Sequence, residues 1–370
     1  MKVSDVIKIM ADMAPPYLAE DWDNSGLQFG SPARDVKNVF VALEPSLEAV
    51  HAAVRAGADM LITHHPLIFK PLSVIDTDSP IGAVIETAAR NRLAVFAAHT
   101  NLDSAAGGVN DVLCQKIGLR DLSVLCPASG PRQYKVVVFV PEDHTAKLID
   151  AVCQSPAGRI GNYSCCTFRS PGTGTFVPGP GADPYDGVIG NLSEASEVRM
   201  ETVVEKADLE AVIAHLKAHH PYETMAYDVY PLEPEAAGQG LGRIGRVTPQ
   251  MTLGELARDL KNRLELPWVR FSGPADLAVD CAAVCSGSGG GLLTAFFASP
   301  AQVLITGDLR YHDAVDAVQR GRGLIDIGHF ASEHIVVDVI CSRIRDAVHA
   351  AGGSVDVNVF DREADPFVHV

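Results

Sequence analysis

The stretch Ala58-Asp-Met-Leu-Ile-Thr-His64-His65-Pro66 decides the fold class of this chain. A short, continuous apolar run of this kind is typical of a buried strand in a parallel sheet. Two adjacent histidines follow at the predicted strand end, where open α/β sheets collect their functional groups. Neighbouring strand residues point to opposite faces, but the turn forced by Pro66 could swing both imidazoles toward one site. A single histidine would more often be structural, whereas an adjacent pair at a strand end supports a functional and a structural explanation equally.

Three other apolar runs end in side chains of the same kind. They lead, in chain order, into His99-Thr-Asn-Leu-Asp103, Gly307-Asp-Leu-Arg-Tyr-His312-Asp313 and Gly328-His329-Phe-Ala-Ser-Glu333. Because the carboxyl ends of parallel strands meet at one edge of a sheet, we expect these imidazoles and carboxylates to lie close together. The sequence therefore predicts a metal site at that edge.

The composition of this predicted site indicates which metals it holds. Imidazole and carboxylate ligands without thiolates suit Zn²⁺, Fe²⁺ or Mn²⁺. Five or more such ligands exceed what one structural zinc needs, so we expect two divalent metal ions per chain, bridged by Asp103 or Glu333. Water bound between two such ions is acidic enough to act as a nucleophile at neutral pH.

Each motif also has an ordinary structural explanation. Asp103 precedes a predicted helix and could be its N-cap. His329 and Glu333 share one helical face at a spacing of four residues, and such pairs also occur on plain surfaces. Asp308 or His312 could orient a ligand imidazole or transfer protons.

A glycine-rich segment, Ser286-Gly-Ser-Gly-Gly-Gly291, follows an apolar strand and precedes a helix. Glycines there allow backbone N–H groups at the helix N-terminus to hold an anion, which makes Gly287, Gly289 and Gly290 candidate anion-binding residues. The segment matches neither the dinucleotide-binding nor the P-loop pattern. A tight strand-to-helix turn explains it equally well.

Strand and helix patterns alternate in both outer thirds of the chain, which predicts an α/β fold. A Pro/Gly/Ser-rich linker is expected at residues 127–131. The segment that follows has the order β-α-β-loop-β-α-β, which is typical of ferredoxin-like domains. We therefore predict a two-part α/β metal-binding unit, residues 1–128 and 238–370, with an inserted ferredoxin-like α+β domain at residues 130–233.

Some element boundaries are predicted more specifically. Within the insert we expect a strand at residues 162–169 and a loop at residues 171–184. In the last third we expect a strand at residues 281–285 and one long helix at residues 333–350.

Composition narrows the choice of partners and compartment. The 370 residues carry a formal net charge of −16, which argues against a nucleic-acid partner because phosphate backbones are bound by clustered Lys and Arg. The 8 cysteines form no CxxC pair, so we expect reduced thiols in a cytoplasmic protein. The N-terminus is expected to be a short amphipathic helix and not a signal peptide, and no membrane span is expected.

Six motifs in fixed order resemble those of one known family. They are Trp22-Asp-Asn-Ser-Gly-Leu-Gln28, Ile62-Thr-His64-His65-Pro66, His99-Thr-Asn-Leu-Asp103, Cys285-Ser-Gly-Ser-Gly-Gly290, Thr306-Gly-Asp-Leu-Arg-Tyr-His312 and Asp326-Ile-Gly-His329-Phe-Ala-Ser-Glu333. The chain resembles the GTP cyclohydrolase 1 type 2 homologs, the Nif-three-like dinuclear metal-centre hexameric proteins. The resemblance covers nearly the whole chain.

This resemblance implies a ligand set and an assembly. It implies that the metal ligands are His64, His65, Asp103, His329 and Glu333. It also implies a toroidal homohexamer, a trimer of dimers, with the sites facing an internal cavity. The middle segment resembles the long form of the family, whose inserted domain is similar to P-two and copper-tolerance proteins.

Two functions are compatible with these observations. The first is a metal-dependent hydrolase of a nucleotide-like or phosphorylated small molecule, either a cyclohydrolase or a phosphoesterase, in which His99 or His312 transfers protons. The second is a non-catalytic hexameric adaptor, metal store or metallochaperone. Coordination alone does not separate the two, but an open, water-bearing coordination position would favour the hydrolase.

Overall fold

The computed structural model describes residues 1–128, 133–232 and 238–368. The chain divides into two compact units, the first combining Met1–Ala128 with Ala236–Val370 and the second being Ser129–Glu235. Each unit has its own buried apolar core among the described residues. Within those residues, no helix is long and apolar enough to cross a membrane.

The elements alternate along most of the chain. The helices are α1 (Val3–Met13), α2 (Leu47–Arg55), α3 (Pro80–Asn91), α4 (Thr100–Ser104), α5 (Val109–Ile117), α6 (Thr145–Cys153), α7 (Leu209–His219), α8 (Leu253–Arg263), α9 (Leu293–Ala298), α10 (Tyr311–Gln319), α11 (His329–Glu333) and α12 (Val336–Ala350). The strands are β1 (Gly26–Phe29), β2 (Asn38–Ala42), β3 (Met60–Thr63), β4 (Ala94–Ala97), β5 (Arg120–Pro127), β6 (Gln133–Pro141), β7 (Thr167–Phe176), β8 (Ser193–Glu205), β9 (Tyr227–Pro231), β10 (Gly240–Thr252), β11 (Arg270–Ser272), β12 (Ala278–Ser288), β13 (Val303–Gly307), β14 (Gly323–Asp326) and β15 (Asp356–Val359).

Two mixed sheets form the first unit, which confirms the α/β fold class. One has the order β1-β4-β3-β2-β15, with β15, β2, β3 and β4 parallel. The other has the order β11-β14-β13-β12-β10-β5, with β12, β13 and β14 parallel. Strand β3 is buried along its whole length, as expected for a central parallel strand covered on both faces.

A buried ion pair joins the first and last thirds of the chain. The Arg243 guanidinium of β10 donates to both carboxylate oxygens of Asp111 in α5, at 2.7 and 2.9 Å, and to the Ala105 carbonyl at 3.0 Å. The Arg243 side chain is only 3% exposed. Because a buried guanidinium is costly unless its donors are paired, these bonds hold the two chain segments in one arrangement.

The second unit has the order β6-α6-β7-β8-α7-β9, and its sheet has the strand order β7-β8-β6-β9 with antiparallel neighbours. This is the ferredoxin-like topology predicted from the sequence. Its core lies between the sheet and the two helices, where Val138, Leu148 and Leu216 are fully buried.

Several predicted boundaries are wrong. Strand β7 begins at Thr167, not at residue 162, and it continues to Phe176 through the Pro/Gly stretch that was predicted as a loop. It lies at the sheet edge, where Pro171 need not donate a ladder hydrogen bond. Strand β12 extends to Ser288, and the predicted helix at residues 333–350 is divided into α11 and α12.

The expectation of reduced thiols is wrong for one pair of cysteines. Cys153, at the end of α6, and Cys165, in the loop before β7, form a disulfide with their Cα atoms 4.6 Å apart. The helix and the loop bring together residues that are 12 positions apart. The cysteines outside this pair are free thiols.

Candidate metal centre

His64 and His65 directly follow β3, and the backbone keeps them at the sheet edge. The His64 and His65 amides donate to the Ala42 and Leu43 carbonyls at 3.3 and 3.0 Å, so pairing with the β2 segment continues past the strand. His64 is fully buried. The two rings lie 5.0 Å apart between centroids, so both imidazoles reach one site.

His99 and Asp103 come from the next parallel strand. His99 follows β4 and caps α4, and Asp103 lies within α4, so Asp103 is not the N-cap that the alternative explanation required. The Asp103 carboxylate accepts a hydrogen bond from the Ser286 hydroxyl at 3.1 Å. This contact fixes the carboxylate against the second sheet.

His329 and Glu333 occupy the single turn of α11. This short helix follows β14, and the spacing of four residues places His329 Nε2 3.0 Å from Glu333 Oε2. Glu333 is buried, with 4% of its side chain exposed. Because its carboxylate is buried while His329 faces the cavity, the pair differs from an exposed surface pair.

The four histidines share one arrangement of their ring nitrogens. Each Nδ1 is hydrogen-bonded to an oxygen, which leaves the other nitrogen for the cluster. The Nδ1 partners are the Ala98 carbonyl for His64 at 2.8 Å, Glu44 for His65 at 2.6 Å, Asp23 for His99 at 2.8 Å and Asp308 for His329 at 2.7 Å. Oxygens that orient imidazoles in this way are the usual outer shell of a metal-binding histidine.

Two buried polar atoms in this cluster have no hydrogen-bond partner among the described residues. They are His64 Nε2 and Glu333 Oε2. His65 Nε2 and His329 Nε2 lie 2.9 and 3.0 Å from Glu333 Oε2 as charge partners. Because buried polar groups are normally paired, an unpartnered His64 nitrogen that converges with these imidazoles on one carboxylate fits a common metal ion.

The cluster contains three groups of side chains that could hold a metal ion. They are His64 with His65 and His99, His65 with His329 and Glu333, and His64 with Asp103 and Glu333. The last two groups share only Glu333. Its Oε2 faces His65 and His329, and its Oε1 lies 3.7 Å from His64 Nε2. The geometry of Glu333 is that of a carboxylate between two groups of ligands.

A cavity of about 1180 Å³ borders the cluster. His65, His99 and His329 line it together with aromatic side chains and two arginines. Small-molecule sites usually have volumes of roughly 300–1,000 Å³. The cavity is therefore large enough for a small molecule to reach the three histidines.

The family model for DUF34/NIF3 (NGG1p interacting factor 3) matches residues 1–366. The chain belongs to the DUF34/NIF3 family. The resemblance predicted from the sequence is thereby confirmed.

Relatives of this DUF34/NIF3 chain are similar over nearly their whole length. A protein of Halalkalibacterium halodurans named GTP cyclohydrolase 1 type 2 homolog is 40% identical over 332 residues, 89% of each chain. One of the same name from Bacillus subtilis is 38% identical over 362 residues, 98% of this chain and 97% of the relative. The crystal structure of a Bacillus cereus protein related to NIF3 has a TM-score of 0.72 and 39% identity, and covers 100% of this chain and 99% of its own.

Charge interactions within the cluster shift its protonation equilibria. Burial opposes protonation of His65, but the Glu333 and Glu44 carboxylates outweigh it and raise its pKa to about 10. Glu333 raises the pKa of His329 to about 9 despite burial. Although burial opposes ionisation of Glu333, the facing imidazoles hold its pKa well below the usual value. Without a metal ion, the positive charge of the cluster therefore comes from protons.

The predicted anion cradle does not form at two of its three glycines. The Gly287 amide donates to the Ser332 hydroxyl at 2.8 Å, and the Gly289 amide donates to the Thr306 hydroxyl at 2.8 Å. Gly287 instead allows a close approach, because a Cβ there would lie 2.1 Å from Glu333 Oε1. The helix that follows Gly290, α9, is also short, so the tight-turn explanation accounts for the segment.

His312 does not take the catalytic place predicted for it. It lies exposed in the first turn of α10, belongs to none of the three ligand groups and does not line the cavity. The same segment contributes Asp308, which makes the predicted hydrogen bond to a cluster imidazole, that of His329. Strand β13 ends before Asp308, so the helical turn carries His312 away from the site.

Two residues of the site were not predicted as members of it. Asp23 accepts hydrogen bonds from His99, from the Thr100 hydroxyl at 2.6 Å and from the Thr100 amide at 3.1 Å, and these bonds lower its pKa although burial opposes the effect. Glu44 follows the end of β2. The sequence held one signal for each of these residues. Asp23 lies within the motif 22–28. Glu44 follows β2, which pairs with β3, the strand that leads to His64.

Proposed function

We propose that the cluster binds two divalent metal ions and that the protein is a metal-dependent hydrolase of a nucleotide-like or phosphorylated small molecule. The observation that best supports this is Glu333, whose two oxygens face different groups of ligands. A carboxylate in that position can bridge two ions, as in dinuclear hydrolases.

The residues divide naturally between the two ions. His65 and His329 would hold one ion and His64 and Asp103 the other, with Glu333 shared between them. Three protein ligands per ion leave positions for water and substrate, which is typical of catalytic sites. The imidazole and carboxylate set suits Zn²⁺, Fe²⁺ or Mn²⁺.

The chain's own side chains prepare the site for hydrolysis. Asp23, Glu44 and Asp308 hold a proton on Nδ1 of their histidines and direct the other nitrogen at the cluster. Two bound ions would supply Lewis acidity and lower the pKa of water. His99 belongs to the cluster and lines the cavity, and we propose that it transfers protons there.

The first experiment measures metal per chain in protein purified without chelator and couples it to turnover assays with nucleotides and phosphoesters. Two metals per chain with turnover that is lost on chelation would support the hydrolase. Two metals without turnover on any substrate would favour the adaptor, metal store or metallochaperone.

Asp103→Ala should lose metal while the fold survives, and unchanged metal content would contradict its role as ligand.

His99→Gln separates two roles for this residue. If His99 transfers protons, the variant keeps its metal content and loses turnover by roughly 10²–10⁴-fold. If the variant loses metal instead, His99 is a ligand and the proton-transfer role is wrong. Asp313→Asn, in the first turn of α10, serves as a control outside the cluster.

The assembly is a separate proposal that rests on family resemblance. We propose a cytoplasmic homohexamer, a trimer of dimers, whose sites face an internal cavity. Light scattering should then give about six times the chain mass of 39.3 kDa. A stable monomer would contradict the ring.

A further inference from the structure

We infer that the cavity beside the metal cluster recognises a ligand with two parts, a flat aromatic or heteroaromatic ring selected by Trp22 and Phe69 and an anionic group held by Arg362. This inference rests on the proposed function, because it describes the substrate of that same centre. It is tested by equilibrium binding, so its failure is distinguishable from a failure of turnover.

The first observation is an exposed aromatic wall at the cluster. Trp22 and Phe69 are 58% and 45% exposed, and their ring centroids are 5.8 Å apart. Both rings lie close to the His99 ring, at 6.2 and 6.3 Å. Large apolar side chains grouped at a cavity, where they are not needed for the core, indicate a binding surface. A planar ring can stack on such side chains with little dependence on its exact chemistry.

The second observation is a cation of an acidic protein, Arg362, that is unpaired within the described parts of the chain. Arg362 is exposed, lines the same cavity, and has no hydrogen bond or ion pair within the described residues. The other arginine of the cavity, Arg270, is engaged by Asp326 at 2.6 Å. A guanidinium without a partner, in a chain of net charge −16, is suited to bind a phosphate or carboxylate of a ligand.

The third observation relates the two features to each other through the cluster. Glu363, next to Arg362, accepts hydrogen bonds from the Leu43 and Glu44 amides at 2.7 and 2.8 Å. Glu44 in turn orients His65. The chain next to Arg362 is thus anchored at Glu44, the partner of His65, whereas the aromatic wall lies beside His99, and these two imidazoles are 5.5 Å apart. Arg362, the aromatic wall and three histidines of the cluster line the same cavity, so a ligand that fills the cavity can contact both features and the cluster.

The test uses three probes and the metal-loaded full-length protein. The probes are adenosine 5′-monophosphate, which has ring and phosphate, adenosine, which has the ring alone, and ribose 5-phosphate, which has the phosphate alone. Both tryptophans of the chain line the cavity, so intrinsic fluorescence reports its occupancy. Each titration is repeated by calorimetry, because Phe69 contacts Trp22 and its loss alters the fluorescence baseline.

Two variants should affect different probes. Phe69→Leu should weaken the binding of adenosine and of the nucleotide by about tenfold and leave the binding of ribose 5-phosphate unchanged. Arg362→Gln should weaken the binding of the nucleotide and of ribose 5-phosphate by about tenfold or more and leave the binding of adenosine unchanged. Phe168→Leu and Arg90→Gln, which change exposed residues that do not line the cavity, are matched controls. Metal content is measured for every variant to show that the cluster is intact.

The inference is overturned if wild-type protein binds none of the probes, or if either variant weakens all three equally at full metal content. It is also overturned if ribose 5-phosphate binds and Arg362→Gln has no effect, since the metal ions alone would then hold the phosphate. Selective binding of the probes, combined with no turnover of any nucleotide or phosphoester, would leave the recognition site standing and would contradict the hydrolase.

Discussion

Histidines occur in both compact units, but among the described residues the groups of three side chains that could hold a metal ion lie in the first unit. His64 uses Nδ1 on a backbone carbonyl and leaves Nε2 unpartnered in the cluster. In the second unit, His220 donates from Nε2 to the Phe139 carbonyl at 3.0 Å and accepts at Nδ1 from the Tyr222 amide at 3.1 Å. Both nitrogens of His220 are therefore used in holding its own loop.

The same comparison applies to pairs of residues spaced by four. His329 and Glu333 in α11 are joined by other ligands from two strands. His215 and His219 in α7 have ring centroids 4.4 Å apart, yet no group of three potential ligands is found within residues 133–232. Helical spacing brings two side chains together, but a metal site needs further ligands from distant segments.

The largest expected effect comes from removing the charge of the shared carboxylate. Glu333→Gln keeps the side-chain shape but weakens both groups of ligands, so metal content should fall close to zero after dialysis, as measured by mass spectrometry. Glu197→Gln is the matched control, because it changes a carboxylate of the second unit that pairs with the Tyr222 hydroxyl. If Glu333→Gln retained two metals per chain, Glu333 would not be the bridging ligand.

The next largest effect is expected from filling the space beside Glu333. Gly287→Ala places a Cβ 2.1 Å from Glu333 Oε1 at a residue with φ of +58°, so it should displace the carboxylate and cost roughly 1–3 kcal/mol of unfolding free energy. Gly172→Ala is the control, since a Cβ at that position in β7 meets nothing within 4 Å. Equal melting temperatures and metal affinities for the two variants would contradict the close-packing argument.

A smaller effect is expected from the oxygens that orient the imidazoles. Glu44→Gln removes the charge that holds His65 Nδ1, and metal affinity should fall by roughly 10–100-fold. Asp143→Asn, beside His144 in the second unit, should leave metal affinity unchanged. Competition titration against a chromogenic chelator measures the metal affinity of both variants. An unaltered metal affinity in Glu44→Gln would show that the Glu44 carboxylate does not support the site.

The smallest effect concerns pH. In the metal-free protein, His65 and His329, with pKa raised to about 10 and about 9, are protonated at pH 7. Metal binding must displace these protons, so apparent affinity should rise with pH up to about 10. By contrast, burial lowers the pKa of His220 in the second unit, which keeps it neutral at pH 7. Calorimetry in buffers of different ionisation enthalpy should detect proton release.

The same pKa shifts predict how the stability of the metal-free protein depends on pH. The folded-state pKa of each imidazole lies above its unfolded value of 6.5. Their contribution is therefore complete below pH 6.5 and is lost as the pH rises through about 9 to 10. A metal-free protein that is equally stable at pH 7 and pH 10 would contradict these shifts.

Much of the fold could be predicted because short-range patterns of apolar residues determine where its strands and helices form. Strand β3 coincides with the continuous apolar run that precedes His64 in the sequence. Strand β7 could not be predicted correctly, because Pro171 and its neighbouring glycines are tolerated only at a sheet edge. Edge position is a property of the assembled sheet.

For the site, the sequence by itself determined which ligand types follow which strands, because strand ends concentrate functional groups. The family resemblance of its motifs implied that His64, His65, Asp103, His329 and Glu333 are the metal ligands. Only the tertiary structure decided that Asp23 and Glu44 orient imidazoles, that His312 lies outside the cluster, and that the Gly287 amide serves a hydroxyl. These outcomes depend on contacts between side chains that are distant in the sequence, and a local sequence pattern does not specify such contacts.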